Sequence, residues 1–130
     1  MFGFIYRKTI VTVDRTSPEH RAKSVLILKS ILRRGISALV FPEGTFNTTY
    51  CPLKHFYDGA FRLAVDTGKP IVPALVFNTK KVLPVHKTFY MLPHKLEMHF
   101  LPPVNTENIS AKDLKEKVFK MMWDYYEAKR

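Results

Sequence analysis

Ile36-Ser37-Ala38-Leu39-Val40-Phe41 is an apolar run that ends abruptly at the turn Pro42-Glu43-Gly44. A run of this kind is typical of a parallel β-strand that is buried on both faces. We therefore expect a buried strand over these six residues, with a tight turn at its carboxyl end.

The residues on the N-terminal side of this strand predict a strand and then a helix. Thr9 to Val13 is β-branched throughout and favours a strand that ends at Asp14-Arg15. A helix is expected over Pro18 to Arg34, with Ser17 as N-cap and Gly35 as a left-handed C-terminal residue. Its helical spacing places one set of residues toward the sheet and another outward: Ala22, Val25, Leu28, Ile31 and Leu32 inward, and Lys23, Ser30, Arg33 and Arg34 outward.

The residues on the C-terminal side of the Ile36–Phe41 strand again predict a helix followed by a strand. Phe56 to Thr67 predicts a second helix that is closed by Gly68, and Ile71 to Phe77 predicts another buried strand, interrupted by Pro73. The order β-α-β-α-β implies an α/β fold with a mostly parallel sheet flanked by helices and with right-handed crossovers. Asp14-Arg15 and the turn after Phe41 would then lie at the same sheet edge, where such folds bind ligands.

The last part of the chain predicts two extended segments and a helix. His86 to Met91 and Lys95 to Leu101 are candidates for extended structure. A helix should begin after Ser110, with Asp113 in a capping box, and it carries one apolar stripe: Leu114, Val118, Met121, Met122 and Tyr125. The stripe suits docking on its own domain better than a bilayer interface or a partner. We predict a single domain over residues 1–130.

Composition excludes several protein classes. The 130 residues are 46% hydrophobic and 25% charged, which is typical of a globular protein. Cys51 is the only cysteine, so no internal disulfide and no cysteine-rich zinc module is expected, and a reducing compartment fits best. The apolar runs fall short of the ~20 residues that a membrane-spanning helix needs, and no signal peptide is recognisable.

The net charge of +10 indicates an anionic partner. Residues 1–40 carry +6, from 8 Lys and Arg against 2 Asp and Glu. Nucleic acid, an anionic bilayer surface and a phosphorylated small molecule all fit this excess. Nucleic acid is the weakest of the three, because the basic residues do not alternate with aromatic residues as stacking surfaces require.

Phe41-Pro42-Glu43-Gly44-Thr45 is the most specific motif. Backbone N–H groups and the Thr45 hydroxyl can receive a phosphate, and Gly44 permits its close approach. An ordinary strand-exit turn would also explain this segment on its own. Arg15, which follows the preceding strand, has the planar donor geometry that suits phosphate, although an ordinary surface arginine is equally consistent with its sequence context.

Taken together and in order, these segments resemble the glycerolipid acyltransferases typified by lysophosphatidic acid acyltransferase, from Phe2 to about Val76. The resemblance implies that Arg15, with Glu43, Gly44 and Thr45, binds the phosphate of the acceptor. It also implies that the strand of Ile71, Val72 and Pro73 lies on the acyl-donor side of the site.

The sequence departs from the family pattern in two places. The family often carries an arginine after Phe-Pro-Glu-Gly-Thr, whereas this chain has Phe46, and Lys54 or Arg62 are the candidates to replace it. The family's His-x-x-x-x-Asp block, whose histidine is the general base, is absent, because none of the five histidines has an aspartate five positions later. Loss of such a base removes about 10² to 10⁴-fold of rate.

Two alternative reactive residues are less favoured than the family site. His55 and Asp58 are spaced for a side-chain contact, but nothing in the sequence positions them beside the phosphate-binding residues. Cys51 has no evident histidine and acid partners, and an ordinary thiol has a pKa of about 8.5, so little thiolate exists at neutral pH.

The resemblance implies transfer of a fatty acyl group from acyl-CoA or acyl carrier protein to the hydroxyl of a lysophospholipid, without a metal or bound cofactor. We expect the chain to be the C-terminal portion of such an enzyme and to be inactive alone. A non-catalytic domain that binds anionic lipid or phosphate is the alternative. Under either hypothesis the expected location is cytoplasmic, peripheral at the inner face of an anionic membrane.

Overall fold

The computed structural model of the protein describes residues 17–45, 47–49, 51–82 and 93–129. The chain divides into two compact units, one up to Val40 and one from Phe41 onward. The described elements are α1 (Pro18–Arg33), α2 (Gly59–Thr67), β1 (Ala74–Phe77), α3 (Thr79–Val82), β2 (Glu97–Phe100) and α4 (Ala111–Lys129). The predicted strand over Thr9 to Val13 and the predicted segment over His86 to Met91 lie outside the described residues.

Helix α1 in the first unit confirms the predicted ends. The Ser17 side chain accepts a hydrogen bond of 3.4 Å from the backbone N–H of His20, Pro18 is the first helical residue, and Gly35 has a φ of +77°. Leu28, Ile31 and Leu32 of the expected inward stripe are half-buried, whereas Ala22 and Val25 are exposed. Ser24, which the stripe does not include, is buried. Ser24 tolerates burial because its hydroxyl donates to the backbone carbonyl of His20 at 2.9 Å.

Helix α2 begins at Gly59, three residues later than predicted. The backbone N–H of Tyr57 donates to the carbonyl of Pro42 at 2.9 Å, so the chain before the helix is tied to the preceding turn. Phe56 is 1% exposed and belongs to the hydrophobic core although it lies outside the helix. The helix ends as expected at Gly68, whose φ of +61° is the left-handed conformation that favours glycine.

The sheet is antiparallel, and the predicted parallel arrangement is not confirmed. β1 pairs with β2, with Leu75 opposite His99 and Phe77 opposite Glu97. The pairing continues beyond the strands, because the N–H of Leu101 donates to the carbonyl of Pro73 at 2.8 Å. Strand β1 thus covers only the second half of the predicted run from Ile71, and β2 confirms extended structure within the segment from Lys95 to Leu101.

Ile36 to Phe41 is not a strand in the structure, and the expectation that it is buried is wrong. Ile36, Leu39 and Phe41 are 56%, 75% and 72% exposed. A strand needs a hydrogen-bonded neighbour, and the sheet pairing in the described part of the chain is between β1 and β2. An apolar run indicates that a segment tends to be buried, but it does not identify a neighbouring strand with which the segment could pair.

Helix α4 docks on its own unit, as the apolar stripe predicts. Ser110 caps it through a 3.1 Å hydrogen bond from the N–H of Asp113, and Leu114 is fully buried. The core between α2, α4 and the sheet is made of ten buried residues: Leu53, Phe56, Phe61, Ala64, Leu75, Leu101, Val104, Leu114, Val118 and Met122. Aromatic contacts join α4 to the sheet, since the rings of Tyr126 and Phe77 stack at 5.6 Å. In the part of the chain that the structure describes, no helix is long and apolar enough to cross a membrane.

Candidate functional site

The turn that leaves Phe41 has the backbone geometry expected from its sequence. The N–H of Gly44 donates to the carbonyl of Phe41 at 3.1 Å, and Gly44 has a φ of +69°. A residue with a Cβ is strained in this left-handed region, so glycine is required for the turn as it stands. The hydrogen bond from Tyr57 to Pro42 then fixes the turn to the chain before α2.

The Thr45 hydroxyl lies beside a lysine. The ammonium group of Lys54 donates to Thr45 Oγ1 at 2.9 Å. Arg62, the other residue considered as a replacement for the arginine missing at position 46, instead pairs with Asp58 at 3.7 Å and is largely exposed. Of the two candidates, the structure therefore brings Lys54 to the turn and leaves Arg62 on the surface of α2.

Glu43 contributes an unusual carboxylate to the same turn. Its Oε2 atom is buried and has no hydrogen-bond partner within the described residues. A buried polar oxygen without a donor is costly, because the free energy of hydrating it is lost and nothing replaces that interaction.

The loop after the turn is organised by Asn47. Its side-chain amide donates to the carbonyls of Cys51 at 3.0 Å and Pro52 at 3.4 Å, while its Oδ1 accepts from the backbone N–H and the hydroxyl of Thr49. The ammonium of Lys80, on α3, donates to the carbonyl of Thr49. These bonds connect Asn47 and Thr49 to the residues just before Lys54 and to α3. The role of Asn47 was not predicted, although asparagine in a polar loop is a recognised signal for local hydrogen bonding.

The segment predicted for the acyl-donor side is well held by backbone hydrogen bonds. Ile71 exchanges two of them with Val104, at 3.0 and 2.8 Å. Pro73 is buried, whereas Val72 between them is 51% exposed. Val72 therefore offers an apolar contact surface that a fatty acyl chain could use.

Among the histidines that the structure describes, His55 is the one considered from the sequence as an alternative base, and it has no carboxylate that orients it. His55 contacts the ring of Tyr57 edge-on, with centroids 6.0 Å apart. Asp58, its proposed partner in sequence, is engaged by Lys115 at 2.6 Å, and this hydrogen bond is the largest cause that lowers the pKa of Asp58. Asp58 is thus held as the carboxylate by a lysine and does not orient His55.

His99 belongs to a separate cluster on the face of the sheet that contacts α4. Its ring lies 2.8 Å from the Tyr125 hydroxyl and 3.3 Å from Glu97. The hydrogen bond with His99, followed by Lys95, lowers the pKa of Glu97. This cluster joins β2 to α4 through side chains that also contact Phe77, which indicates a structural role.

Within the described residues, the structure gives little support for metal binding or for a reaction at Cys51. No group of three or more His, Cys, Asp or Glu side chains that could hold a metal ion occurs there. Cys51 is exposed, and its carbonyl accepts from Asn47. Arg15 lies outside the described residues, so its role in phosphate binding stays a prediction.

Comparison with known proteins supplies the family. A family model described as Acyltransferase matches residues 1–76. The chain is 31% identical over 88 residues to 1-acyl-sn-glycerol-3-phosphate acyltransferase alpha of Mus musculus, covering 68% of this chain and 30% of that protein. It is 30% identical over 118 residues to 1-acyl-sn-glycerol-3-phosphate acyltransferase of Limnanthes douglasii, covering 89% and 41% respectively. The chain therefore spans less than half the length of these curated relatives.

A solved structure agrees with these matches. The crystal structure of the 1-acyl-sn-glycerophosphate (LPA) acyltransferase PlsC from Thermotoga maritima superposes with a TM-score of 0.72 over 83% of this chain and 44% of that one. The sequence identity is 23%, so the likeness concerns the fold.

Proposed function

The chain belongs to the acyltransferase family, and from that premise we propose that it forms the acceptor-binding part of an enzyme that esterifies a lysophospholipid. In the complete enzyme, a fatty acyl group passes from acyl-CoA or acyl carrier protein to the free hydroxyl of a lysophosphatidic acid-type acceptor. The hydroxyl oxygen forms the new ester bond, the thioester bond breaks, and the hydroxyl proton leaves to a general base.

The observation that carries this proposal is the geometry of the turn from Phe41 to Thr45. Gly44 has a positive φ and carries no side chain, and the Thr45 hydroxyl lies beside the Lys54 ammonium. A phosphate accepts hydrogen bonds from both kinds of group, and the positive charge favours the dianion. Glu43, whose Oε2 is buried in the same turn, is proposed as a further residue of the acceptor site because the family resemblance implies it. Arg15 is proposed as a further phosphate ligand.

The acyl donor is proposed to lie along Ile71, Val72 and Pro73. Exposed Val72 presents its side chain between two residues whose backbones are fixed by hydrogen bonds to neighbouring chain segments. A rigid apolar surface suits an acyl chain because burial of its methylene groups contributes about 0.8 kcal/mol each. No metal or resident cofactor enters this proposal.

We further propose that the 130-residue chain binds the acceptor without transferring the acyl group. None of its histidines has an aspartate five positions later, and Asp58 is occupied by Lys115. The general base is then supplied from outside these residues. A domain that only binds lipid would also bind the acceptor, so binding and turnover must be measured separately.

A peripheral location at an anionic membrane surface is proposed from α1. Its exposed residues include Lys23 and Arg33, and exposed Arg34 directly follows the helix. Each basic residue near an anionic bilayer contributes about 1 kcal/mol of attraction. Sedimentation with vesicles of phosphatidylserine and phosphatidylcholine should exceed sedimentation with phosphatidylcholine alone and should fall as salt is raised.

Acceptor binding tests the proposal directly. Calorimetry with a short-chain, water-soluble lysophosphatidic acid should show binding by the wild-type chain and much weaker binding by Thr45→Val, which removes the hydroxyl and keeps the shape. Thr48→Val is the matched control, since Thr48 is an exposed threonine of the same loop. Equal binding by all three proteins would contradict the acceptor site.

Turnover is measured on the same samples. Radiolabelled acyl-CoA and acyl carrier protein are each supplied with lysophosphatidic acid, and we expect no phosphatidic acid above the level formed without protein. Formation of product by the purified wild-type chain would contradict the proposal that it lacks the general base. Absence of both binding and turnover would contradict the proposed function as a whole.

A further inference from the structure

The two faces of the sheet have different neighbours. Residues that are paired across antiparallel strands point to the same face, and successive residues of a strand point to opposite faces. The pair Leu75 and His99 lies on the face toward α4, because Leu75 belongs to the core and His99 contacts Tyr125. The pairs on the opposite face, here called the outer face, are Ala74 with Phe100 and Val76 with Met98.

The outer face is apolar and exposed. Met98 and Phe100 are 52% and 69% exposed, although methionine and phenylalanine are among the residues most often buried in proteins. Val72 and Leu96, which precede the two strands along the chain, are exposed as well. Within the part of the chain that the structure describes, these residues form an apolar patch, and such a patch commonly marks a contact surface.

The stretch of chain that contains β1 and leads into β2 is basic. Residues 67–96 contain no Asp or Glu and five lysines, at positions 69, 80, 81, 87 and 95. Lys80 and Lys81 follow β1 on α3, Lys95 precedes β2, and all three are exposed. They lie at one end of the sheet, because Phe77 at the end of β1 is paired with Glu97 at the start of β2. The charge of this stretch complements an anionic partner.

A second copy of the chain is a poor occupant of the outer face. Two strands of four residues span ~14 Å by ~10 Å, so the face offers on the order of 150 Å². A stable protein interface buries about 800 Å² on each partner. Association of two copies would also bring two basic stretches together.

An anionic bilayer suits both properties of the face. Insertion at the headgroup level needs only a few apolar side chains, and basic residues near the surface add attraction to anionic lipids. Lys95 pairs with Glu97, but its side chain is 78% exposed and its ammonium group has further donors for a lipid headgroup. The long stem of a lysine lets the charge reach the headgroups while apolar neighbours insert more deeply.

We propose that the outer face is a membrane-binding surface, with Met98 and Phe100 inserted at the headgroup level of an anionic bilayer and Lys81 and Lys95 in contact with the headgroups. This inference rests on the peripheral location given under the proposed function, and it assigns that location to a surface of the second unit, whereas α1 belongs to the first. The apolar contribution should persist at high salt, because salt screens only the attraction between charges.

Vesicle sedimentation measures the contribution of the outer face. The wild-type chain, Phe100→Gln and Met98→Gln are compared on vesicles of phosphatidylserine and phosphatidylcholine at low and high salt. Phe100→Gln should weaken binding about tenfold and Met98→Gln about threefold at both salt concentrations, because each removes apolar surface from the contact. Leu39→Gln is the matched control, since Leu39 is equally exposed but lies outside the sheet, and it should leave binding unchanged. Thermal unfolding verifies that each variant is folded.

A fluorescent probe tests insertion itself. Trp123 is the only tryptophan, so Phe100→Trp combined with Trp123→Phe leaves a single indole, on the outer face. Its emission should shift to shorter wavelength when the anionic vesicles are added, and brominated phosphatidylcholine in the vesicles should quench it. The wild-type chain is the control, because Trp123 lies on α4, which contacts the opposite face of the sheet, and its emission should show neither change.

The possible outcomes separate this inference from the proposed function. Equal binding by Phe100→Gln and the wild type, or an unquenched indole, overturns the inference and leaves the peripheral location standing. An equal loss of binding for Leu39→Gln has the same consequence, because any exposed apolar residue would then serve. An indole that is already shielded from acrylamide without lipid overturns the inference too, since polypeptide would then cover the face. Failure of the wild-type chain to bind anionic vesicles overturns both the inference and the peripheral location, while acceptor binding is decided by calorimetry.

Discussion

Helix α4 and the loop from Phe41 to Leu53 belong to the same unit, but they are held by different interactions. Leu114 and Val118 of α4 are almost fully buried, and their side chains form part of the core. The loop is held by Asn47, Lys54 and the bond from Tyr57 to Pro42, all of which are polar. The difference teaches that stability and ligand recognition are separable here: apolar burial maintains the unit, and hydrogen bonds shape the candidate site.

Replacement of Leu114 by alanine gives the largest expected effect. The side chain is 0% exposed, so the substitution leaves a cavity and should lower the free energy of unfolding by about 3 kcal/mol. Urea unfolding followed by circular dichroism measures this loss. Lys112→Ala, at an exposed position of the same helix, should change stability by no more than about 0.5 kcal/mol. Similar values for the two variants would break the comparison, because α4 would then not depend on apolar burial.

Asn47→Ala tests whether polar hydrogen bonds hold the loop from Phe41 to Leu53. Its hydrogen bonds each contribute about 1 kcal/mol or less in an exposed loop, so we expect a loss in stability of about 1 kcal/mol. Binding of lysophosphatidic acid should weaken about fivefold, because without the Asn47 side chain the ligand must itself order the loop that precedes Lys54. Urea unfolding and calorimetry on the same variant measure the two effects.

Asn105→Ala is the control for this substitution, because Asn105 is an exposed asparagine of the same unit. It should leave both stability and binding unchanged. If Asn47→Ala destabilises the protein as much as Leu114→Ala, the loop is part of the core and the separation fails.

The two regions also differ in how far the sequence predicts them. The cap at Ser110 and the stripe from Leu114 follow from local spacing, and the structure confirms both. The tight turn expected after Phe41 is likewise a local property of its residues, and the N–H of Gly44 closes it on the carbonyl of Phe41. Short-range hydrogen bonding and helical periodicity need no knowledge of distant residues, which explains these successes.

The failures depend on distant residues. Leu39 is exposed, and β1 pairs with β2 in the antiparallel direction. Both features depend on which chain segments contact each other, and an apolar run does not contain that information. The start of α2 differs from the expectation because the N–H of Tyr57 bonds to the carbonyl of Pro42, fifteen positions earlier in the chain. Lys54 was recognised as a candidate, but a sequence alone could not choose between it and Arg62.

The ion pair between Asp58 and Lys115 connects the segment before α2 to α4 and gives the smallest expected effect. Asp58 precedes α2, and Lys115 lies on α4 with a contact of 2.6 Å. The hydrogen bond from Lys115, with its charge and that of Arg62, lowers the pKa of Asp58 below its ordinary value of 3.8. A carboxyl group whose pKa is lower in the folded state stabilises the fold above the unfolded value, and that stabilisation disappears as the pH falls through the folded value.

The expected signature is therefore a stability difference that depends on pH. Asp58→Asn should lower the melting temperature slightly at neutral pH, and its difference from the wild type should shrink as the pH falls below 3.8 and Asp58 becomes protonated. Asp124→Asn is the matched control, because Asp124 forms an ion pair with Lys120 within α4. If the difference in melting temperature between Asp58→Asn and the wild type persisted unchanged in acid, the charge of Asp58 would not be its cause. The shape and hydrogen bonding of the side chain would then connect the segment before α2 to α4.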